Sequence, residues 1–235
     1  KVLVRVCLAG KTDSADGELL LQAENSDGTP VGKAVHLTAE KGNQELKAEV
    51  DLEDQVRLWS AETPDLYRMR VTLNTPQGAD EQIVSFGFRD FRAQGTRFEI
   101  NGRPVFLRGT LECCVFPLTG YPAMDKDYWK KIYGKCKEYG LNHVRFHSWC
   151  PPEAAFSVAD SMGLYLQVEC GAWAEVGSGL PQDEWIRQEG DRILKEYGNH
   201  PSFCLMAYGN EPSGNRQADY LGKLVNYWKQ TDGRR

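Results

Sequence analysis

Asn210-Glu211-Pro212 follows an apolar run, Phe203-Cys204-Leu205-Met206-Ala207-Tyr208, with Gly209 between them. The run is too short, and too closely bounded by Pro201 and Gly209, for a helix, so it reads as a buried strand. Pro212 disfavours the right-handed helical region at the residue before it, so Glu211 is expected to stay extended at the strand's final position. A carboxylate at the C-terminal end of a buried parallel strand is where α/β barrels keep catalytic groups, and it suits acid/base chemistry. Three earlier strand ends carry comparable residues. Arg108 and Glu112 follow the first, Arg145, His147 and Trp149 lie at the second, and Glu169 with Trp173 close the third. Tryptophan interleaved with Glu, Arg, His and Asn suits a ligand with apolar faces and hydroxyl edges, as a pyranose ring has.

Each of these residues also has a plainer reading. Glu112 suits a solvated loop, Arg145 an ion pair with a neighbouring strand's carboxylate, and Glu169 a structural cap on its strand. His147 suits a hydrogen-bonded packing position, and Trp149 and Trp173 suit the core. Glu211 could be a first-turn carboxylate favoured by a helix dipole. A metal site built from Glu112, His147 and Glu169 is conceivable, but the spacing does not demand one. Neither a metal nor another cofactor is expected.

The elements that must position these side chains fall into two rhythms. Residues 1–90 read as all-β, with strands at Val2–Leu8, around Leu19-Leu21-Ala23, and at Lys33–Thr38, Glu45–Leu52, Tyr67–Asn74 and Glu81–Phe86. Short strands at this spacing predict an immunoglobulin-like β-sandwich, without the Cys…Trp…Cys pattern of antibody domains. Residues 91–235 open on a hairpin turning at Asn101-Gly102, with a first strand expected at Val105–Gly109. Strand and helix then alternate: helix Asp125–Tyr139, strand His143–Phe146, helix Pro152–Met162, strand Leu164–Val168, helix Gln182–Tyr197, strand Phe203–Tyr208, helix Arg216–Lys229. Gly140, Gly163 and Gly198 stand where the first three helices must stop. Four strand–helix units make a parallel α/β architecture, and no Gly-rich loop follows the first strand to suggest a dinucleotide fold. The expected fold is therefore the first half of a (β/α)8 TIM barrel. A whole barrel needs roughly 250 residues, and about 145 follow the sandwich.

Composition narrows the partners. A net charge of −5 with no dense Lys/Arg block argues against nucleic acid or an anionic membrane surface, and no run approaches the ~20 apolar residues of a membrane span. The seven cysteines form no C-x-x-C pair. The chain opens in an alternating strand, without an initiator Met or signal peptide, and reads as a piece of something longer. Nothing fixes the compartment, although a periplasmic or secreted setting is preferred to a cytoplasmic one. A half barrel exposes sheet edges, so self-association is expected beside a carbohydrate substrate.

Several stretches resemble glycoside hydrolase family 2, the family of β-galactosidases, β-glucuronidases and β-mannosidases. They are Leu58-Trp59-Ser60-Ala61-Glu62-Thr63-Pro64-Asp65-Leu66-Tyr67, Phe86-Gly87-Phe88-Arg89, and Phe98-Glu99-Ile100-Asn101-Gly102-Arg103-Pro104-Val105-Phe106-Leu107-Arg108-Gly109. Leu141-Asn142-His143-Val144-Arg145, Asp160-Ser161-Met162-Gly163-Leu164-Tyr165, and Asn199-His200-Pro201-Ser202 with Gly209-Asn210-Glu211 continue the likeness along essentially the whole chain. The resemblance implies a retaining exo-β-glycosidase, β-galactosidase-like, with Glu211 as general acid/base and Asn210 bonded to the sugar 2-hydroxyl. It implies a nucleophile on the seventh barrel strand, beyond Arg235, so this chain by itself is expected to be inactive. Thr110-Leu111-Glu112-Cys113-Cys114-Val115-Phe116 replaces the His-rich stretch of the β-galactosidases, so no magnesium site is carried over to Glu112. Two rival readings are a non-catalytic carbohydrate-binding protein and an assembly protein on the same fold.

Overall fold

The computed structural model describes residues 1–9, 16–40, 42, 44–53 and 56–234. Two compact units emerge, one from Lys1–Arg57 with Asp65–Phe88, the other from Leu58–Pro64 with Arg89–Arg235.

The first unit is built from period-2 alternation. β1 (Val2–Leu8) pairs antiparallel with β4 (Gln44–Val50), Val2 opposite Val50 and Leu8 opposite Gln44. β2 (Gly17–Asn25), β3 (Pro30–Ala39), β5 (Tyr67–Thr75) and β6 (Gly78–Phe86) form a second antiparallel sheet in the order β3-β2-β5-β6. Leu19, Leu21 and Ala23 point from one face of β2 into a core shared with Val31, Val50, Leu52, Tyr67 and Met69, while Val2, Val4 and Val6 of β1 pack against it from the other sheet. Two sheets enclosing one apolar layer make a β-sandwich. The buried Glu24 is compensated by Arg70, whose Nε donates to it at 2.7 Å and holds its carboxyl below the usual range.

The second unit starts with a small antiparallel sheet, β7 (Phe91–Gln94), β8 (Arg97–Ile100) and β9 (Arg103–Val105). Asn101 and Gly102, at φ of 54° and 75°, make the turn between β8 and β9 that the Asn-Gly pair demands. β7 was not expected, because Phe91-Arg92-Ala93-Gln94 carries one large apolar side chain and is too short for its alternation to stand out.

A four-stranded parallel sheet follows, in sequential order: β10 (Gly109–Glu112), β11 (His143–Phe146), β12 (Tyr165–Glu169) and β13 (Phe203–Ala207). Each strand is followed by a helix: α1 (Lys126–Glu138), α2 (Glu153–Met162), α3 (Pro181–Tyr197) and α4 (Gln217–Thr231). Asp125 caps α1 by accepting from the Tyr128 amide at 2.8 Å. Phe146, Phe156, Leu164, Leu166, Val168, Ile186 and Trp129 fill the core between strands and helices.

The first parallel strand corrects the sequence reading. It begins at Gly109 instead of Val105 and ends at Glu112. Val105 completes the β8–β9 ladder opposite Phe98, and the chain then crosses over with Phe106 exposed. Asn142 captures it there: the Asn142 side chain accepts from the Arg108 amide at 2.8 Å, and the Arg108 carbonyl accepts from the Asn142 amide at 3.0 Å. The apolar run Val105-Phe106-Leu107 therefore ends one strand and starts a crossing, a distinction periodicity does not carry.

Leu58–Pro64 belongs to the second unit through specific bonds. The buried Trp59 donates from Nε1 to the Asp160 carbonyl at 2.8 Å, and the Ala61 amide donates to Tyr165 Oη at 3.1 Å. Gly163, at φ of 71° after α2, lets this approach happen, since a Cβ there would stand 2.5 Å from the Ala61 carbonyl oxygen.

Candidate active site

Parallel strands bring all their C-terminal ends to one edge of the sheet, and here those ends are Glu112, Phe146, Glu169 and Ala207. Three of the five non-glycine residues with positive φ among the described residues stand just beyond them: Cys114 at 58°, Ser148 at 59° and Glu211 at 41°. Backbone held in this region costs of order 1–3 kcal/mol each and concentrates where loops are shaped for function.

Arg145 on β11 is the hub of the site. Its Nε donates to Glu169 Oε1 at 2.6 Å, and its Nη2 donates to Asn210 Oδ1 at 2.8 Å. Glu169 is completely buried, and its second oxygen accepts from the Ser148 amide at 2.7 Å. Gln167 adds a bond to Oε1 at 3.1 Å. A buried carboxylate is tolerated when paired and fully hydrogen-bonded, and this one is both. Asn210 is only 7% exposed; its amide donates to the Ala172 carbonyl at 2.9 Å and its own carbonyl accepts from Tyr208 Oη at 2.8 Å. Because only the side-chain oxygen can accept from a guanidinium, the amide's orientation is determined. Its Nδ2 is left buried with no protein partner.

Glu211 departs from expectation. The ladder of β13 ends at Ala207, so the carboxylate lies four residues past the strand instead of at its last position, and it is exposed. Its backbone is left-handed, not extended. The reason is the neighbouring loop: Asn210 bonds Ala172, Ser213 donates to the Ala174 carbonyl at 3.4 Å, and Val176 donates to the Ser213 carbonyl at 3.0 Å. Between two pinned residues the chain must turn, and proline's bar on the right-handed region leaves the left-handed one to do it.

Glu112, half-buried at the end of β10, accepts from the Cys114 amide at 3.0 Å, and burial pushes its carboxyl pKa up against that bond. Its carbonyl accepts from the His147 amide at 2.8 Å and from Trp149 Nε1 at 3.3 Å. The Trp149 ring packs edge-on against Phe146 and Phe116. His147 Nδ1 lies 3.1 Å from Ser148 Oγ, and its ring meets Trp173 edge-on at 5.0 Å, with Trp173 largely exposed. Thus Arg145, Glu169 and Asn210 form one bonded group, His147 and Trp173 a second, and Glu112 and Trp149 a third. Ser148 joins the first two and was missed, since no feature of the sequence marks a backbone N–H as a ligand. Among the described residues no three His, Cys, Asp or Glu side chains are grouped so as to hold a metal ion.

Residues 1–89 match the family model described as glycosyl hydrolases family 2. Over 188 residues the chain is 27% identical to Beta-galactosidase 2 of Enterobacter cloacae. The fold also superposes on a β-glucuronidase from Parabacteroides merdae with a TM-score of 0.82 at 20% identity, covering 99% of this chain. The chain is similar to glycosyl hydrolases family 2, by the family model over residues 1–89 and by fold along nearly its whole length. A family 2 member from Bacteroides cellulosilyticus is equally close in fold, with a TM-score of 0.80 at 22% identity over 99% of this chain. At these identities the two solved structures speak to the family 2 fold alone. The chain spans 18% of the length of the Enterobacter relative, of which it matches with 76% of its own, and 31% and 32% of the two solved family 2 chains.

Proposed function

We propose that this chain is part of a retaining exo-β-glycosidase that removes terminal β-linked sugars, β-galactosidase-like in its substrate. In this reading the sandwich is immunoglobulin-like, and the four strand–helix units are the first half of a (β/α)8 barrel whose mouth is the site. Glu211 protonates the departing glycosidic oxygen and then takes the proton from the water that attacks the glycosyl-enzyme. The nucleophile is a second carboxylate, about 5–5.5 Å away in retaining enzymes, from a segment beyond these four units.

The observation that carries the reading is the buried, unpartnered Nδ2 of Asn210 beside Glu211. A lone buried donor costs free energy unless a ligand accepts from it, and in this reading the acceptor is the sugar 2-hydroxyl next to the scissile bond. Trp173, exposed and edge-on to His147, offers the ring a stacking face, with Trp149 and Glu112 further along the rim. Arg145 already has its charge compensated by Glu169, so it offers no spare cation to a sugar carboxylate. That balance favours a neutral hexose over a uronate.

The test is Glu211→Ala in the full-length protein. Substrates with poor leaving groups should slow by roughly 10²–10⁴-fold, because they need the proton. Dinitrophenyl glycosides leave unaided, so their first step should survive and the glycosyl-enzyme should accumulate. Azide needs no base and should release it as a glycosyl azide of retained configuration. Equal slowing of both substrates without azide rescue would remove Glu211 from the acid/base role and leave the non-catalytic carbohydrate-binding reading in its place.

A further inference from the structure

We infer that Glu169 is a positioning residue: acting through Arg145 it sets which end of the Asn210 amide faces the ligand, without itself touching the sugar. The inference rests on the proposed role of Asn210 as donor to the 2-hydroxyl. The sequence placed Glu169 among the sugar contacts, but its surroundings leave no room for that. It is fully buried, Oε1 accepts from Arg145 and Gln167, and Oε2 accepts from the Ser148 amide. Both oxygens are taken by the protein.

What those bonds accomplish follows from the geometry of a guanidinium. The group is planar and rigid, so anchoring Nε on Glu169 fixes the direction of Nη2 as well. Nη2 meets Asn210 at 2.8 Å. An asparagine amide is nearly symmetric in shape, and its two orientations differ only in which partner each end finds. With Arg145 held, the flipped orientation sets NH2 against N–H and is disfavoured, so Nδ2 stays aimed away from Arg145 as a free donor. If the anchor is lost, Arg145, whose side chain is one-third exposed, can swing toward water and the amide loses its bias. Glu169 acts on a second strand end too. Its bond to the Ser148 amide supports a left-handed residue that would otherwise be costly, and Ser148 Oγ in turn touches His147 Nδ1. One buried carboxylate thereby ties the ends of β11, β12 and β13 into a single arrangement.

The experiment compares the wild-type full-length protein with E169Q, R145K, N210A and the double variant N210A/E169Q. Each is assayed on the nitrophenyl β-glycoside that the wild type turns over fastest and on its 2-deoxy counterpart. Lysine keeps a charge for Glu169 but has no second nitrogen for Asn210, and it suits a partly exposed position, so R145K carries the test if E169Q does not fold. E169Q and R145K should each lose about tenfold in kcat/KM on the 2-hydroxy substrate, the equivalent of one hydrogen bond, and stay within roughly twofold on the 2-deoxy one. The double variant should be no slower than N210A, because both changes remove the same interaction. A merely structural Glu169 would slow both substrates by one factor, or add its loss to that of N210A, and either result overturns the inference. A 2-hydroxyl preference lost in N210A but retained in E169Q and R145K overturns the positioning role alone. A preference retained in N210A itself overturns the reading of Asn210 on which the inference stands.

Discussion

Asp160 Oδ2 and His200 Nδ1 lie 2.6 Å apart beside the start of β13, at the opposite end of that strand from Asn210 and Glu211. Asp160 also accepts from the Ser202 amide at 3.0 Å, and its backbone carbonyl accepts from Trp59 Nε1 at 2.8 Å. His200 stacks on Phe156 with ring centroids 5.1 Å apart. The motif Asn199-His200-Pro201-Ser202 therefore joins α2 to the entry of β13, and its chemistry is that of a joint.

Asp160→Ala should accordingly destabilise without altering the site. It leaves the Ser202 amide and the His200 ring without their acceptor in a nearly water-free place, at a cost of about 3 kcal/mol. The urea midpoint of the full-length protein should fall while KM of the folded fraction stays put. An unchanged midpoint would show that the pair contributes nothing to stability.

Gly209→Ala should damage the site itself. A Cβ there would stand 2.1 Å from the Ala172 carbonyl oxygen, which accepts the Asn210 amide, and φ at this residue is 151°. The loop must move apart, carrying Asn210 and Glu211 with it. An activity loss of about 10²-fold is expected for displacements near 1 Å, with thermal stability falling by about 1–3 kcal/mol. Steady-state kinetics that match the wild type would refute the close approach.

Glu112 gives a pH prediction. Burial raises its carboxyl pKa in the folded state, so the folded chain holds this proton more tightly than the unfolded chain does. As pH rises from about 4, the unfolded state ionises first, and the contribution of Glu112 to stability declines until the raised folded value is passed. Glu112→Gln removes that decline. On going from about pH 4 to about pH 7 the urea midpoint should therefore shift further toward stability in the variant than in the wild type; equal shifts would show that the carboxyl is as well solvated folded as unfolded.

Expressed by itself, the chain should be inactive toward nitrophenyl β-glycosides, because one carboxylate cannot complete a double displacement. It should also self-associate. Among the described residues β10 and β13 each pair on one side only in the parallel sheet, and Leu111, Val115 and Leu118 are exposed near the β10 edge. Turnover above buffer would refute the first expectation, and a monomer by light scattering that binds no apolar dye would refute the second.

Local regularities were legible in the sequence because they depend on neighbours along the chain. Alternation at Leu19, Leu21 and Ala23 needs only a period of two, the Asn101-Gly102 turn only the two residues that tolerate positive φ, and α1 only Asp125 at its start and Gly140 after its end. The order of strands and helices from β11 onward followed from the same signals. Residues able to do chemistry could be named at the strand ends for that reason, but not what each one holds. Arg145 bonds Glu169, 24 residues away, and Asn210, 65 residues away, and only the parallel stacking of β11, β12 and β13 brings them within reach. The same stacking turned Glu169 from a candidate sugar contact into a buried anchor. Bonds to the loop after β12 set the left-handed turn at Glu211, and Asn142 chose Gly109 as the start of β10. These outcomes were decided by partners distant in the chain, whose positions no local pattern encodes.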